Sequence, residues 1–129
     1  MLQWKPYWNA LKNNKMMQRK IAIPVDVNGR LDGHFGHCKF FSLVQTEGNK
    51  VLASVKVQPP PHEPGVLPAW LAQQGVSDVI AGGMGQRAIE LFQAAGVNVF
   101  VGAPQLEEDV LIERFLKEEL VLTANYCDH

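Results

Sequence analysis

The stretch GRLDGHFGHCKFF, residues 29–41, gathers the most reactive side chains of the sequence. His34, His37 and Cys38 fall close together, bracketed by glycines and followed by Phe40 and Phe41. Imidazole and thiolate are natural ligands for soft and borderline metals. In a helical turn all three would share one face. In an extended chain His34 and Cys38 would share a face and His37 would point away. H-x-x-H-C is not a paired-cysteine zinc pattern. Residue chemistry alone therefore leaves two readings open: metal ligands, or a tight turn that carries a buried cysteine.

A second group lies in AGGMGQRA, where Gly82, Gly83 and Gly85 surround Met84 at a change from strand to helix. Glycines there let a backbone approach a ligand closely, and the helix start presents unpaired N–H groups to an anion. The stretch lacks the Lys-Ser/Thr of a Walker loop and the full G-x-G-x-x-G of a dinucleotide site. A tight turn without a ligand is the alternative, and Met84 could offer a soft thioether or simply pack. His62 stands in the proline-rich QPPPHEPG, and Cys127 and His129 form a Cys-x-His pair near the C-terminal end. Each could supply metal ligands or be an ordinary exposed residue. Asp26 and Asp32 could orient an imidazole or cap turns.

Other chemistry is thinly represented. No G-x-S-x-G or H-E-x-x-H motif occurs, and no serine, histidine and acid suggest a triad. A two-metal nuclease needs several carboxylates on its core strands. Asp26 and Asp78 are the candidates, which makes a nuclease the weakest of three functional readings. A metal-ion or redox-responsive module using Cys38, Cys127 and His129 is the second.

These residues need a domain to position them. With 129 residues and 47% hydrophobic content, the chain is long enough for one domain with a substantial core. A formal net charge of -1 gives no basic excess for gripping nucleic acid. No apolar run approaches the roughly 20 residues of a membrane span. The polar, basic N-terminus does not read as a secretory signal. Two cysteines, far apart, do not make a disulfide scaffold. Together these features point to a soluble cytoplasmic protein with reduced thiols.

Residues 1–18 read as an extension, with Trp4, Trp8 and Leu11 at helical spacing but Pro6 and an Asn/Lys cluster interrupting a long helix. Residues 19–124 read as the domain, and 125–129 as a tail. KIAIPVD is a short buried strand, ended by Asp26. Asn28-Gly29 and Asp32-Gly33 are turn signals. Residues 39–58 read as a hairpin turning at Glu47–Lys50, its second strand alternating Val51, Ala53, Val55 and Val57. The prolines at 59–61 exclude regular structure and suggest an exposed connection or lid. VLPAWLAQQG then predicts a helix, with Leu67, Trp70 and Leu71 on one face and Gly75 as its stop. Residues 76–83 and 97–103 predict strands. The helix between them buries Ala88, Ile89, Phe92 and Ala95. The last helix spans 104–120, with Pro104 near its first turn and acids at 107–109 favouring its positive end. Later strands joined through helices lie parallel. The expected fold is an α/β layered domain with a mixed sheet of about five strands.

The pattern KIAIPVD-NG-L--HFG-C--F, followed by PPPHEPGVLPAWL, GVSDVIAGGMG and GVNVFVGA, resembles the dinitrogenase iron-molybdenum cofactor biosynthesis family over residues 20 to about 122. That family includes NifX, NafY, the C-terminal part of NifB and the orange protein of sulfate reducers. The resemblance implies a ribonuclease H-like fold and a non-enzymatic protein. It implies an anionic metal–sulfur cluster as cargo, of iron–molybdenum or molybdenum–copper type. It also implies cluster-assembly proteins or Mrp-type ATPases as partners. By the same resemblance, the family's cofactor-linked histidine falls on His34 within His34-Phe35-Gly36, and its glycine loop on Gly82, Gly83, Met84 and Gly85. His37, Cys38, His62, Cys127 and His129 match a subset of the family, as further metal ligands. Residues 1–16 have no counterpart in the pattern.

Overall fold

The computed structural model describes residues 17–123. Trp4, Trp8 and Leu11 of the extension, and Cys127 and His129 of the tail, lie outside the described residues. Within them the strands are β1 (Gln18–Val25), β2 (Phe40–Glu47), β3 (Lys50–Val57), β4 (Asp78–Ile80) and β5 (Asn98–Phe100). The helices are α1 (Val66–Gln73), α2 (Gln86–Ala94) and α3 (Glu108–Leu116). One mixed sheet runs in the order β3-β2-β1-β4-β5. β2 is antiparallel to both β1 and β3, whereas β4 and β5 continue parallel from β1.

β1 is the spine of the sheet. Ile21, Ala22, Ile23 and Val25 are fully buried, as a strand with covered faces on both sides requires. Ile21, Ile23 and Val25 pack with Leu111 and Ile112 of α3. Ala22 joins Phe41, Leu43, Leu71 of α1 and Phe92 of α2 in a separate cluster. One helix therefore covers one face and two helices cover the other.

Four expectations change. β4 and β5 have three residues each, shorter than the apolar runs that encode them. Beyond them, the Ala81 N–H still donates to Phe100 O and the Ala103 N–H to Ala81 O, but Gly102 adopts φ +92 and breaks the regular strand. The last helix begins at Glu108, not near Pro104. The segment before it is held by main-chain bonds from Leu31 N–H to Leu106 O and from Glu108 N–H to Gly29 O, both 2.9 Å. It then stops where Glu118 takes a φ of +59. Ala95 is exposed, because α2 ends one residue earlier. Finally, the alternation in β3 does not mark a buried face. Val51 and Val55 are 52% and 54% exposed on this edge strand.

At the amino edge of β4, Asp78 is buried and its carboxylate lies 2.6 Å from the Arg19 guanidinium. Arg19 also stacks over the Phe115 ring, 5.6 Å from its centroid. Removing the arginine strands a charge in the core. Arg19→Ala is therefore expected to cost about 3–5 kcal/mol of unfolding free energy, read from urea denaturation. The double variant Arg19→Met/Asp78→Leu should recover part of that loss; no recovery would show that the pair is not what the single variant breaks.

Candidate functional site

Parallel β1 and β4 bring their carboxyl ends to one edge of the sheet, where open α/β sheets bind ligands. Three segments converge there: the loop after β1, the proline-rich loop before α1, and the glycine turn between β4 and α2. They enclose a cleft of about 720 Å³ whose lining includes Gly33, His34, His37, His62, Gly83, Met84 and Gly85.

The loop after β1 is shaped by its aspartates. Asp26 accepts the main-chain N–H groups of Asn28 (2.8 Å) and Arg30 (3.1 Å) through Oδ1. These bonds, led by the one from Arg30, hold its carboxyl below the usual range. Asp32 Oδ1 accepts the His34 N–H at 2.9 Å. The hydrogen bonds of both side chains are thus to main-chain groups of the turn. Asp26 follows β1 at the carboxyl edge and Asp78 opens β4 at the opposite edge, so the two do not meet as a nuclease pair.

The histidine stretch is neither α-helical nor fully extended. Phe35–His37 is a single 3-10 turn, closed by the His37 N–H on His34 O at 3.2 Å. Such a turn eclipses positions i and i+3. His34 and His37 are both exposed and line the cleft, while Cys38 turns inward. Phe35 anchors the turn. Its ring meets Phe41 and Phe92 edge-on at 5.5 and 5.7 Å, within the core.

Cys38 is 7% exposed and belongs to the apolar cluster beneath the cleft. Burial, reinforced by the Asp32 charge, pushes its thiol up to about 12. A thiol in that state is a poor ligand at neutral pH. Among the described residues, no group of three or more His, Cys, Asp and Glu side chains could hold a metal ion.

His62 brings the proline-rich loop to the histidine turn. Its ring centroid is 4.5 Å from that of His37, with the planes inclined by 38°. Gly36 makes the approach possible, since a Cβ there would stand 3.2 Å from His62 Cε1. The role of Gly36 as a seat for another side chain leaves no trace in the sequence.

Across the cleft, the glycine turn is bare. Gly82 is closely packed, its Cβ position 3.6 Å from Ala103 O. Gly83 and Gly85 are different: among the described residues no atom stands within 4 Å of a Cβ at either, and neither has a positive φ. Nothing in the fold itself demands glycine at those positions. Met84 is 4% exposed and packs in the core cluster. α2 begins at this turn without a side-chain cap on its first N–H groups, which leaves the positive end of the helix available to an anion.

The family model described as dinitrogenase iron-molybdenum cofactor matches residues 17–118. The chain belongs to that family. An uncharacterized protein of Methanocaldococcus jannaschii is 33% identical over 111 residues, covering 82% of this chain and 92% of its own. The crystal structure of PH0822 superposes with a TM-score of 0.77 at 29% identity, covering 85% of this chain and 99% of that one. The apo orange protein of Desulfovibrio gigas has the same fold, with a TM-score of 0.67 at 24% identity over 82% of this chain and 93% of its own. The matched region contains the histidine turn, the proline-rich loop and the glycine turn. Among the described residues, no helix is long and apolar enough to cross a membrane.

The buried thiol has a direct readout. In a Cys127→Ser background at pH 8, Cys38 should react with a disulfide reagent at least about 100-fold more slowly in the native protein than in urea. The native rate should climb as pH rises toward 12. A native rate equal to the unfolded one would show that the thiol is not held in the core.

Proposed function

We propose that this protein binds and carries an anionic metal–sulfur cluster, of iron–molybdenum or molybdenum–copper type, and that it catalyses no reaction of its own. The observation that carries this reading is the pairing of exposed imidazoles with a bare glycine turn across one cleft. Among the described residues no backbone or packing need calls for Gly83 and Gly85, so their value lies in the room they leave above the start of α2.

The donor set suits such a cargo. Main-chain N–H groups and the positive helix end favour negative charge, and imidazole is a fair ligand for iron, copper and zinc. His34 contacts a metal of the cluster; the glycine turn accepts its sulfide-rich face; Phe35 and Gly36 hold the turn in shape. The loop bearing His62 packs on the histidine turn and extends that wall of the cleft. Few metal ligands and several hydrogen bonds allow release, which a carrier needs. Cys38, buried and protonated, is not part of the contact. Membership of the family supports an iron–molybdenum cargo. β2 is the lone strand running against the other four, which supports the ribonuclease H-like reading of the scaffold. In this reading the protein is cytoplasmic and exchanges its cargo with cluster-assembly proteins.

Anaerobic reconstitution tests the reading. Purified protein is mixed with tetrathiomolybdate and copper, or with an iron–molybdenum cluster, and its visible spectrum and metal content are recorded. His34→Ala and Gly83→Asp should each weaken uptake at least about tenfold, roughly 1.4 kcal/mol. Gly83→Ala, which adds bulk without charge, should bind more tightly than Gly83→Asp. Urea midpoints monitor folding, and open space at position 83 predicts little change. Uptake that is unaltered in His34→Ala and Gly83→Asp would discard this site.

A further inference from the structure

We propose that His37 and His62 form a two-imidazole site that binds a single copper ion directly, without any sulfide cluster. The inference goes beyond the carrier reading and stands apart from it. Its ligand is a bare metal ion, and its donors are the imidazole pair rather than His34 and the glycine turn.

The first support is the distance between the rings. A metal lies about 2.0–2.1 Å from an imidazole nitrogen, and so roughly 3.2 Å from the ring centre. Two imidazoles held at a right angle on one ion then have centres about 4.5 Å apart. The His37 and His62 centroids are separated by 4.5 Å. Both side chains are exposed, and the torsion that turns an imidazole ring has a broad minimum. A nitrogen of each ring can therefore be aimed at one ion with the main chain unmoved.

The second support is that both donors stand on fixed backbone. His37 closes the 3-10 turn on His34 O at 3.2 Å, and Phe35 pins that turn to the core. His62 follows Pro59, Pro60 and Pro61, whose rings fix φ. After it, the Val66 N–H donates to Glu63 O at 3.1 Å and leads into α1. Gly36 lets the two imidazoles approach, since a Cβ there would stand 3.2 Å from His62 Cε1 and 3.7 Å from Nδ1. Gly36 has no positive φ, so what glycine supplies at this position is room for His62. Donors placed in advance lose little freedom when an ion arrives.

The small number of donors selects the ion. Among the described residues no third His, Cys, Asp or Glu side chain joins the pair, so the remaining ligands come from solvent or from a bound molecule. Zinc sites draw three or four ligands from the protein. Copper binds a given set of nitrogen donors most tightly among the divalent first-row metals, and is the ion for which two imidazoles suffice. Its open positions are reachable from two sides. His37 and His62 line the cleft and also a second hollow of about 510 Å³, whose lining includes Lys39, Gln58 and Pro60.

The test adds Cu2+ alone to the full chain carrying Cys127→Ser, which removes that thiol as a competing ligand and reductant. Calorimetry should give one equivalent, and pulsed electron paramagnetic resonance should detect two imidazole ligands. His37→Ala and His62→Ala should each leave one imidazole and weaken binding at least about tenfold. Gly36→Ala removes no donor but crowds His62, and should weaken binding as well. Urea midpoints monitor folding, and both histidines are exposed. Fewer than two imidazoles on copper in the parent protein overturns the proposal without recourse to any variant of the pair. So does an affinity, or a two-imidazole signal, that survives in His37→Ala/His62→Ala. Cluster uptake by the same proteins reports separately. Copper held by the pair with no cluster uptake sinks the carrier reading and spares this one; cluster uptake by a protein that holds no imidazole-bound copper does the reverse.

Discussion

Strand β1 is paired antiparallel on one edge and parallel on the other, and it is buried on both faces. The rest of the molecule follows from that position. Its antiparallel neighbour β2 requires the chain to turn over at the carboxyl end of β1, which creates the loop carrying the histidines. Its parallel neighbour β4 must end at the same edge, which creates the glycine turn beside that loop. The apolar run Ile21–Val25 stabilises this arrangement by completing both core clusters at once. A strand covered on one face only would satisfy one cluster and leave the other open.

The site itself divides its work between two kinds of residue. Turn shape is set by hydrogen bonds and packing within the fold: Asp26 and Asp32 accept main-chain N–H groups, and Phe35 is clamped by Phe41 and Phe92. In the proposed reading, contact with cargo would be left to the exposed imidazoles and the open glycines at 83 and 85. Core packing fixes geometry at a cost that does not depend on the cargo, so binding and release can be tuned without disturbing the fold.

Much of this was legible in the sequence because the signals were local. Periodicity and glycine stops located each helix, and β-branched runs located each strand. The errors came from long-range pairing. The 104–107 segment contains a good N-terminal proline, but bonds to Gly29 and Leu31 hold it outside the helix. β3 alternates like a half-buried strand, yet it falls at the sheet edge. The histidines posed a different difficulty. Helical and extended readings both put His34 and Cys38 together, whereas one 3-10 turn separates them and pairs His34 with His37 at the cleft instead. That outcome depends on the pocket between Phe41 and Phe92, which no stretch of residues 29–41 contains in full. Likewise, the seat that Gly36 makes for His62 joins segments some twenty-six residues apart.

The placement of Phe35 has a consequence for how such proteins diversify. A single aromatic ring, sunk in the core, carries an exposed residue two steps after it and another directly before it. Positions 34 and 37 can therefore be exchanged for other side chains while the ring between them keeps the turn in register. A lineage that holds this keel constant can sample new ligands at its two flanks one substitution at a time, each variant still folded and testable by selection. Variation in cargo would then accumulate on an unvarying scaffold, with position 35 as the last of the turn to change.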